Sequence, residues 1–241
     1  VALFATCVAD VAFPNAAIAT VTLLERLGVE VSFPEQQGCC GQMHINSGYP
    51  EMAVPMVRGF VETFADADVV VAPSGSCVGS IRHQMHEVAM RAGDVRLADA
   101  VDRVTPRVRE LTEFIVDDLG IVDVGARFPH RVAYHPSCHS LRVAQVGDRP
   151  YRLLAHVEGL ELVEQANATS CCGFGGTFSV KNPGVSTAML DDKLTALSAA
   201  RAEYVTSLDA SCLMQIGGGL QHDRSPMKAV HLAEILAGTV I

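Results

Sequence analysis

Residues 170–180 read SCCGFGGTFSV, and residues 38–48 read GCCGQMHINSG. Two adjacent thiols followed by a glycine, written twice in one chain, ask what chemistry needs two sulfurs side by side. Neighbouring residues of an extended strand point to opposite faces, so Cys39 with Cys40, and Cys171 with Cys172, can serve one place only on a turn. Gly41 and Gly173 stand where such a turn needs positive φ and close backbone approach.

Working outward, Cys7 and Cys77 flank the first pair, and Cys138 and Cys212 flank the second. Equivalent cysteines are separated by 131, 132, 132 and 135 residues, which reads as a duplication with small loop changes. The ends of the halves match as well. PRVRELTEFIVDDLG and PMKAVHLAEILAG share a Pro, a Leu, a Glu and a terminal Gly, at an offset of 121. The shorter offset assigns extra residues to the first half, in the charged helical stretch RAGDVRLADAVDRV. The repeats divide near residue 125, as 1–125 and 126–241. No low-complexity linker lies between them, so they are expected to pack as one unit.

Short β-branched runs alternate with amphipathic segments: VALFAT, AAIATVTLLERLG, VEVSF, EMAVPMVRGFVETFA and DVVVAP. Gly28 falls where a helix C-terminus wants it. The second half repeats the order, with RVAYHP, LELVEQ and EYVTSL as strands and VSTAMLDDKLTALSAA as the clearest helix. The strands lack the strict alternation of a one-faced sheet, so parallel strands covered on both sides fit better. The expected fold is α/β, in two pseudo-repeated halves, each a small, mainly parallel sheet flanked by helices. Ligands of such sheets bind beyond the carboxyl ends of the strands, where the cysteines are expected to gather.

The formal net charge of −9 and the pI near 5.4 argue against nucleic-acid recognition, which needs clustered Lys and Arg. The opening VALFATCVAD reads as a first strand, without a basic leader or cleavage site. No apolar run approaches the ~18 to 20 residues of a membrane span. The reading is a soluble cytoplasmic chain, and in that reducing compartment eight cysteines do not make four structural disulfides. Soft thiolates select zinc, Cu(I) or iron-sulfur clusters, and four of them suit zinc or a [4Fe-4S] cluster. The wide spacing departs from the paired CxxC knuckles of a zinc ribbon, which favours the cluster.

One Cys, about thirty residues, CysCysGly, a similar interval and a further Cys, present twice, resembles the cysteine-rich CCG domain family. The intervals are 31 and 36 residues in the first copy, and 32 and 39 in the second. That family includes the cysteine-rich subunit of heterodisulfide reductase and the iron-sulfur subunits of glycolate oxidase and anaerobic glycerol-3-phosphate dehydrogenase. The segments PSGSC, HPSCH, CCGFGGTFSVK, MLDDKL and CLMQIGG are most similar to its lactate-utilising branch. The resemblance implies electron transfer during oxidation of L-lactate to pyruvate, as an oxidoreductase subunit inactive without its partners. Those partners are a ferredoxin-type iron-sulfur protein and a third subunit. It further implies two iron-sulfur clusters, held by Cys7, Cys39, Cys40 and Cys77 and by Cys138, Cys171, Cys172 and Cys212. Fuller family members end each copy in CxxC, whereas Ser80 and Gln215 stand at those positions here. An ordinary four-thiolate cubane is the inference for each copy. Two rivals stay open: a zinc-binding scaffold without a redox role, with zinc also able to enter air-handled protein, and thiol-disulfide or heterodisulfide chemistry.

Other residues invite roles. His135, His139 and Arg142 surround Cys138 and are candidates to carry protons or anchor a carboxylate. His44 and Lys181 follow the two CysCysGly turns and are candidates to orient a sulfur, a substrate or a partner. Gly175 and Gly176 lack the GxGxxG spacing and read as N–H donors to sulfur. Gly217 to Gly219 read as a helix terminator, and Asp191, Asp192 and Lys193 as a solvated helix face.

Overall fold

The structure, a computed structural model, describes residues 1–240. The first half runs β1 (Ala2–Leu3), α1 (Cys7–Ala12), α2 (Pro14–Arg26), α3 (Gln42–Asn46), α4 (Val54–Phe64), β2 (Val70–Ala72), α5 (Gly75–Arg91), α6 (Val95–Val104), β3 (Val108–Glu110) and α7 (Leu111–Glu113). The second runs β4 (Arg131–Tyr134), α8 (Cys138–Arg142), α9 (Arg149–Leu154), β5 (Glu161–Val163), α10 (Phe178–Lys181), α11 (Pro183–Ala199), β6 (Tyr204–Ser207), α12 (Ala210–His222), β7 (Lys228–His231) and α13 (Leu232–Ala237). All named strands pair in parallel, in the orders β1-β2-β3 and β5-β4-β6-β7.

The two orders become equivalent once residue 32 is counted, because Ser32 makes an isolated parallel bridge to Ala2 where β5 pairs with β4. VEVSF is thus reduced from the expected strand to a single bridge. Pro34 cannot donate to a ladder, and the Gln37 side chain takes over the missing bonds, accepting from Ala5 N at 2.7 Å and donating to Leu3 O at 3.1 Å. Gln165 does the same for β4, donating to Tyr134 O at 2.8 Å.

The last strand of each sheet escapes the sequence reading. β3 and β7 are three and four residues long and run straight into a helix, so no change of periodicity marks them. The shared sequence ends become matched capping boxes, Glu110 with Glu113 and His231 with Glu234. The extra charged residues of the first half form α6, as expected.

Gly28 adopts φ +82° just past α2. Gly217 to Gly219, expected to end a helix, lie inside α12. A Cβ on Gly219 would stand 2.8 Å from Leu194 and 2.9 Å from Leu190, so the glycine is needed for α11 to approach α12.

Each half has a core of its own, Phe4, Phe60 and Phe64 in the first, Leu194, Leu197 and Ile216 in the second. A third core belongs to both. Leu23 and Leu24 of α2 pack with Leu232, Ile235 and Leu236 of α13, all fully buried. Arg26 seals the joint by donating to the carbonyls of Leu236 and Ala237 at the C-terminus of α13. Among the described residues no helix is long and apolar enough to cross a membrane.

Candidate metal centre

Each half delivers its thiols by the same three devices. Cys7 and Cys138 open α1 and α8, directly beyond β1 and β4. Cys77 and Cys212 sit in the first turns of the long helices α5 and α12. The CysCysGly turns lie between, with Gly41 at φ +85° and Gly173 at φ +89°. Neither glycine tolerates a side chain: a Cβ would stand 3.0 Å from Ala53 Cβ at Gly41, and 2.4 Å from Ser186 O at Gly173.

The sulfurs converge. Cys7 Sγ lies 3.6 Å from Cys39 Sγ, and Cys40 Sγ lies 3.4 Å from Cys77 Sγ. In the second half, Sγ of Cys172 and Sγ of Cys212 lie within 4.8 Å of each other. Both quartets line one cleft, of about 800 Å³ with its mouth included. Sequence spacing suggests one site per half; in the fold both quartets line a single cavity.

Cross-packing of helices produces this. Ala9 and Ala16, of α1 and α2, pack on Ala210 of α12, so the helix that starts at Cys7 rests against the helix that bears Cys212. Conversely α8, starting at Cys138, lies on α5, bearing Cys77. Gly75 and Gly79 on one face of α5 make that approach possible: a Cβ on Gly75 would fall 2.1 Å from Ser140 Oγ, and one on Gly79 3.1 Å from Ala144 N. Asp209 locks the joint. Its buried carboxylate accepts from Ser74 Oγ at 2.8 Å and Ser76 N at 2.9 Å in the first half. From the second half it accepts Ser140 Oγ at 2.7 Å and Ser137 Oγ. Burial pushes this carboxyl up, but hydrogen bonds from Ser137, Ser140 and Ser76 hold it below the usual carboxylate value. The sequence reading missed Asp209, although the offset of 135 that relates Cys77 to Cys212 also relates it to Ser74, the N-cap of α5.

Charge is distributed alike in both quartets. Cys39 is pulled down to about 2 by hydrogen bonds from the Cys40 and Cys7 thiols, and Cys171 to about 2 by those from Cys138 and Cys172. The donors Cys7, Cys40, Cys138 and Cys172 are pushed up correspondingly. Gly41 N and Gly173 N approach the Cys39 and Cys171 sulfurs at 3.4 and 3.3 Å. The amides that donate to sulfur are therefore those of the turn glycines, with Val8 on Cys7 and Phe174 on Cys172, rather than those of Gly175 and Gly176. The latter two take φ +54° and +66° to pack against Phe178 and against Met43 of the first half.

The remaining candidates are dispersed. His139 lines the cleft, with Nδ1 3.5 Å from Cys138 Sγ and Nε2 3.5 Å from Asn46 Nδ2 across the joint. Arg142 is exposed and donates to Thr169 O, outside the cleft, so it does not join the histidines in gripping a carboxylate. Lys181 is exposed and stands 5.2 Å over the Tyr49 ring. His44 lies off the cleft but near enough to Cys39 to favour its thiolate.

Two buried bases complete the second half. Lys193, expected on a solvated face, is fully buried and donates to Asn167 O and Ala168 O, both at 3.1 Å. Helical periodicity alone did not show that α11 turns this side toward the cysteines. Burial lowers its pKa, and Cys172, Cys171 and Cys212 oppose that. His135 lies beneath the same sulfurs, fully buried, with no hydrogen-bond partner for either ring nitrogen among the described residues. Burial first, and then Lys193, take its pKa down to about 4, so the ring is neutral at neutral pH. An unpartnered buried polar group costs about 1–3 kcal/mol. Two four-thiol sets with amide donors to sulfur, and an imidazole held against one of them, form a donor set suited to soft metal centres.

The cysteine-rich (CCG) domain matches residues 1–82 and 132–217. Lactate utilization protein A of Exiguobacterium sp. is 47% identical over 238 residues, covering 98% of this chain and 96% of its own. Proteins of the same name from Geobacillus thermodenitrificans and Bacillus subtilis are 45% and 44% identical over 236 residues, covering 98% of both chains. An aspartate racemase homologue from Pyrococcus horikoshii OT3 aligns over 98% of this chain and 94% of its own, with 10% identity and a TM-score of 0.36, too low to carry an argument. The duplicated thiol turns, the paired parallel sheets and these near full-length matches agree, and the chain belongs to the cysteine-rich CCG domain family, with relatives named lactate utilization protein A.

Proposed function

We propose that this chain is an iron-sulfur electron-transfer subunit of an L-lactate-oxidising complex, with one [4Fe-4S] cluster at each quartet. The repeats divide at residue 125, and Cys7, Cys39, Cys40 and Cys77 hold one cluster while Cys138, Cys171, Cys172 and Cys212 hold the other. The observation that carries this is the pair of thiol quartets lining one cleft. Thiol sets sharing a cavity suit the passing of electrons between two centres, for which a scaffold metal has no use. The names of the relatives supply lactate as the substrate class.

When bound, such clusters supply one-electron chemistry. The chain's own residues do the rest. Gly41 and Gly173 donate to the Cys39 and Cys171 sulfurs and withdraw electron density from them, which raises a centre's potential. Asp209 and its serine donors fix the starts of α5 and α8, so the thiols need little reorganisation as charge changes. Val8, Met43 and Phe174 cover the cleft walls and limit water there. Electrons enter and leave through cytoplasmic partners, a ferredoxin-type iron-sulfur protein and a third subunit, and the chain alone turns lactate over poorly or not at all.

Zinc is the second reading. It is favoured by the 3.4 and 3.6 Å sulfur separations, close to the ~3.8 Å between thiolates on one tetrahedral zinc with bonds of about 2.3 Å. Anaerobic purification separates the two. About eight irons and eight sulfides per chain, with a brown visible spectrum, support the cluster reading, and stoichiometric zinc without sulfide overturns it.

A further inference from the structure

Two buried histidines lie close to this joint, and they differ in one respect. His231 is fully satisfied: Nδ1 accepts from Ala233 N at 3.1 Å, and Nε2 faces the carbonyls of Leu208 and Pro73 at 3.0 and 3.1 Å. That is the pattern of a structural histidine. His135 is as deeply buried and makes none of these bonds. What it has instead is sulfur. One ring nitrogen, Cys172 Sγ and Cys212 Sγ all lie within 4.8 Å of one another, so the nitrogen is within reach of a metal bound at either thiolate.

The duplication isolates the feature. The offset that relates Cys7 to Cys138 relates Phe4 to His135, and Phe4 packs edge-on against Phe60 and Phe64 at 5.3 and 5.7 Å. At the same place in the fold, one half has an aromatic ring in an apolar core and the other an imidazole with free nitrogens beneath two thiols.

We infer that His135 is a nitrogen ligand to one iron of the second-half cluster, an iron that also takes the thiolate of either Cys172 or Cys212, so that this cluster has five protein donors on four irons and the first has four. The inference rests on the cluster reading above. The ring donates a lone pair from one nitrogen and keeps its proton on the other, so no electron or proton changes hands on binding. A nitrogen donor makes one iron of this cluster inequivalent to the rest. No counterpart exists at the first-half site, where Phe4 offers no donor atom.

The test uses the full chain, purified anaerobically from cells fed 57Fe and either natural-abundance or 15N-labelled histidine. Pulsed EPR of the reduced protein is expected to show an imidazole nitrogen coupling that changes with the isotope. Mössbauer spectra, which need no paramagnetic state, are expected to show one iron distinct from thiolate-only sites. Both signatures should vanish in His135→Phe, while the first-half cluster stays. Iron and sulfide present without either signature in the unsubstituted protein overturns the inference and leaves the cluster reading standing. Protein with no iron or sulfide overturns both. The labelled unsubstituted protein decides the question even where the His135→Phe variant fails to fold.

Discussion

The first and second quartets have the same thiols on the same elements, yet their supports differ. Cys7 is delivered by Thr6 at φ +70°, a β-branched residue in a region such residues avoid, while Cys138 follows Ser137 in relaxed extended backbone that caps α8. Behind the first quartet lie Phe4 and, matched to Lys193 by the CysCysGly offset, Val61. Behind the second lie His135 and Lys193. Duplication has kept the eight thiols and changed the buried groups behind them. The strain at Thr6, worth about 1–3 kcal/mol, falls on the side that has no buried base.

The contrast between the quartets presupposes two independent sites, and that premise is the first to challenge. Cys39→Ser should abolish the first centre and Cys171→Ser the second, each removing about half the iron from a folded chain, as read by metal analysis. Loss of all iron from either folded variant would mean that the cleft holds one shared centre.

Asp209 comes next, because it belongs to both sides. Asp209→Ala removes the acceptor of four donors. It should cost about 1–3 kcal/mol or more in anaerobic denaturant unfolding, because buried hydroxyl and amide donors are left without an acceptor. The carboxyl lies below its ordinary value in the folded chain, so its stabilisation is complete above about pH 4. It is lost as pH falls through the folded value, where the unfolded state binds the proton more readily. An acid-unfolding profile of Asp209→Asn should lack that component.

Gly75→Ala probes the contact of α5 with α8. The new methyl meets Ser140, so the helices must part, at a cost of about 1–3 kcal/mol in unfolding. Gly184→Ala, with open space around it, is the control. The smallest effect is expected at Lys193. A unit charge about 10 Å from a cluster at an effective dielectric near 20 is worth about 1–2 kcal/mol. For one electron that is about 40–90 mV, so Lys193→Met should lower the second potential by that amount in a redox titration and leave the first in place. Equal shifts at both would show that the two sites share one electrostatic environment.

Much of this was legible before folding. The eight thiols, their grouping into quartets, the turn glycines, the parallel α/β halves and the paired ends all follow from spacing and residue type, which are local properties. β3 and β7 were hidden because three or four residues running into a helix have no period of their own. Gly217 to Gly219 read as a terminator because glycine is rarely tolerated inside a helix unless a neighbour needs the room, and the neighbour that needs it, α11 against Gly219, is brought there only by the fold.

Which atoms can bind, and how many sets they form, is written in the order of the residues. That both sets face one cleft, that α1 rests on α12 and α8 on α5, and that Asp209 joins the halves are properties of the folded chain alone. So is the burial of His135 and Lys193 under the second quartet and not the first. A donor's chemistry belongs to its side chain, but burial, partnering and the field it feels depend on what long-range packing brings beside it. Two copies of one pattern that dock face to face cannot have identical neighbours once their packing residues have diverged.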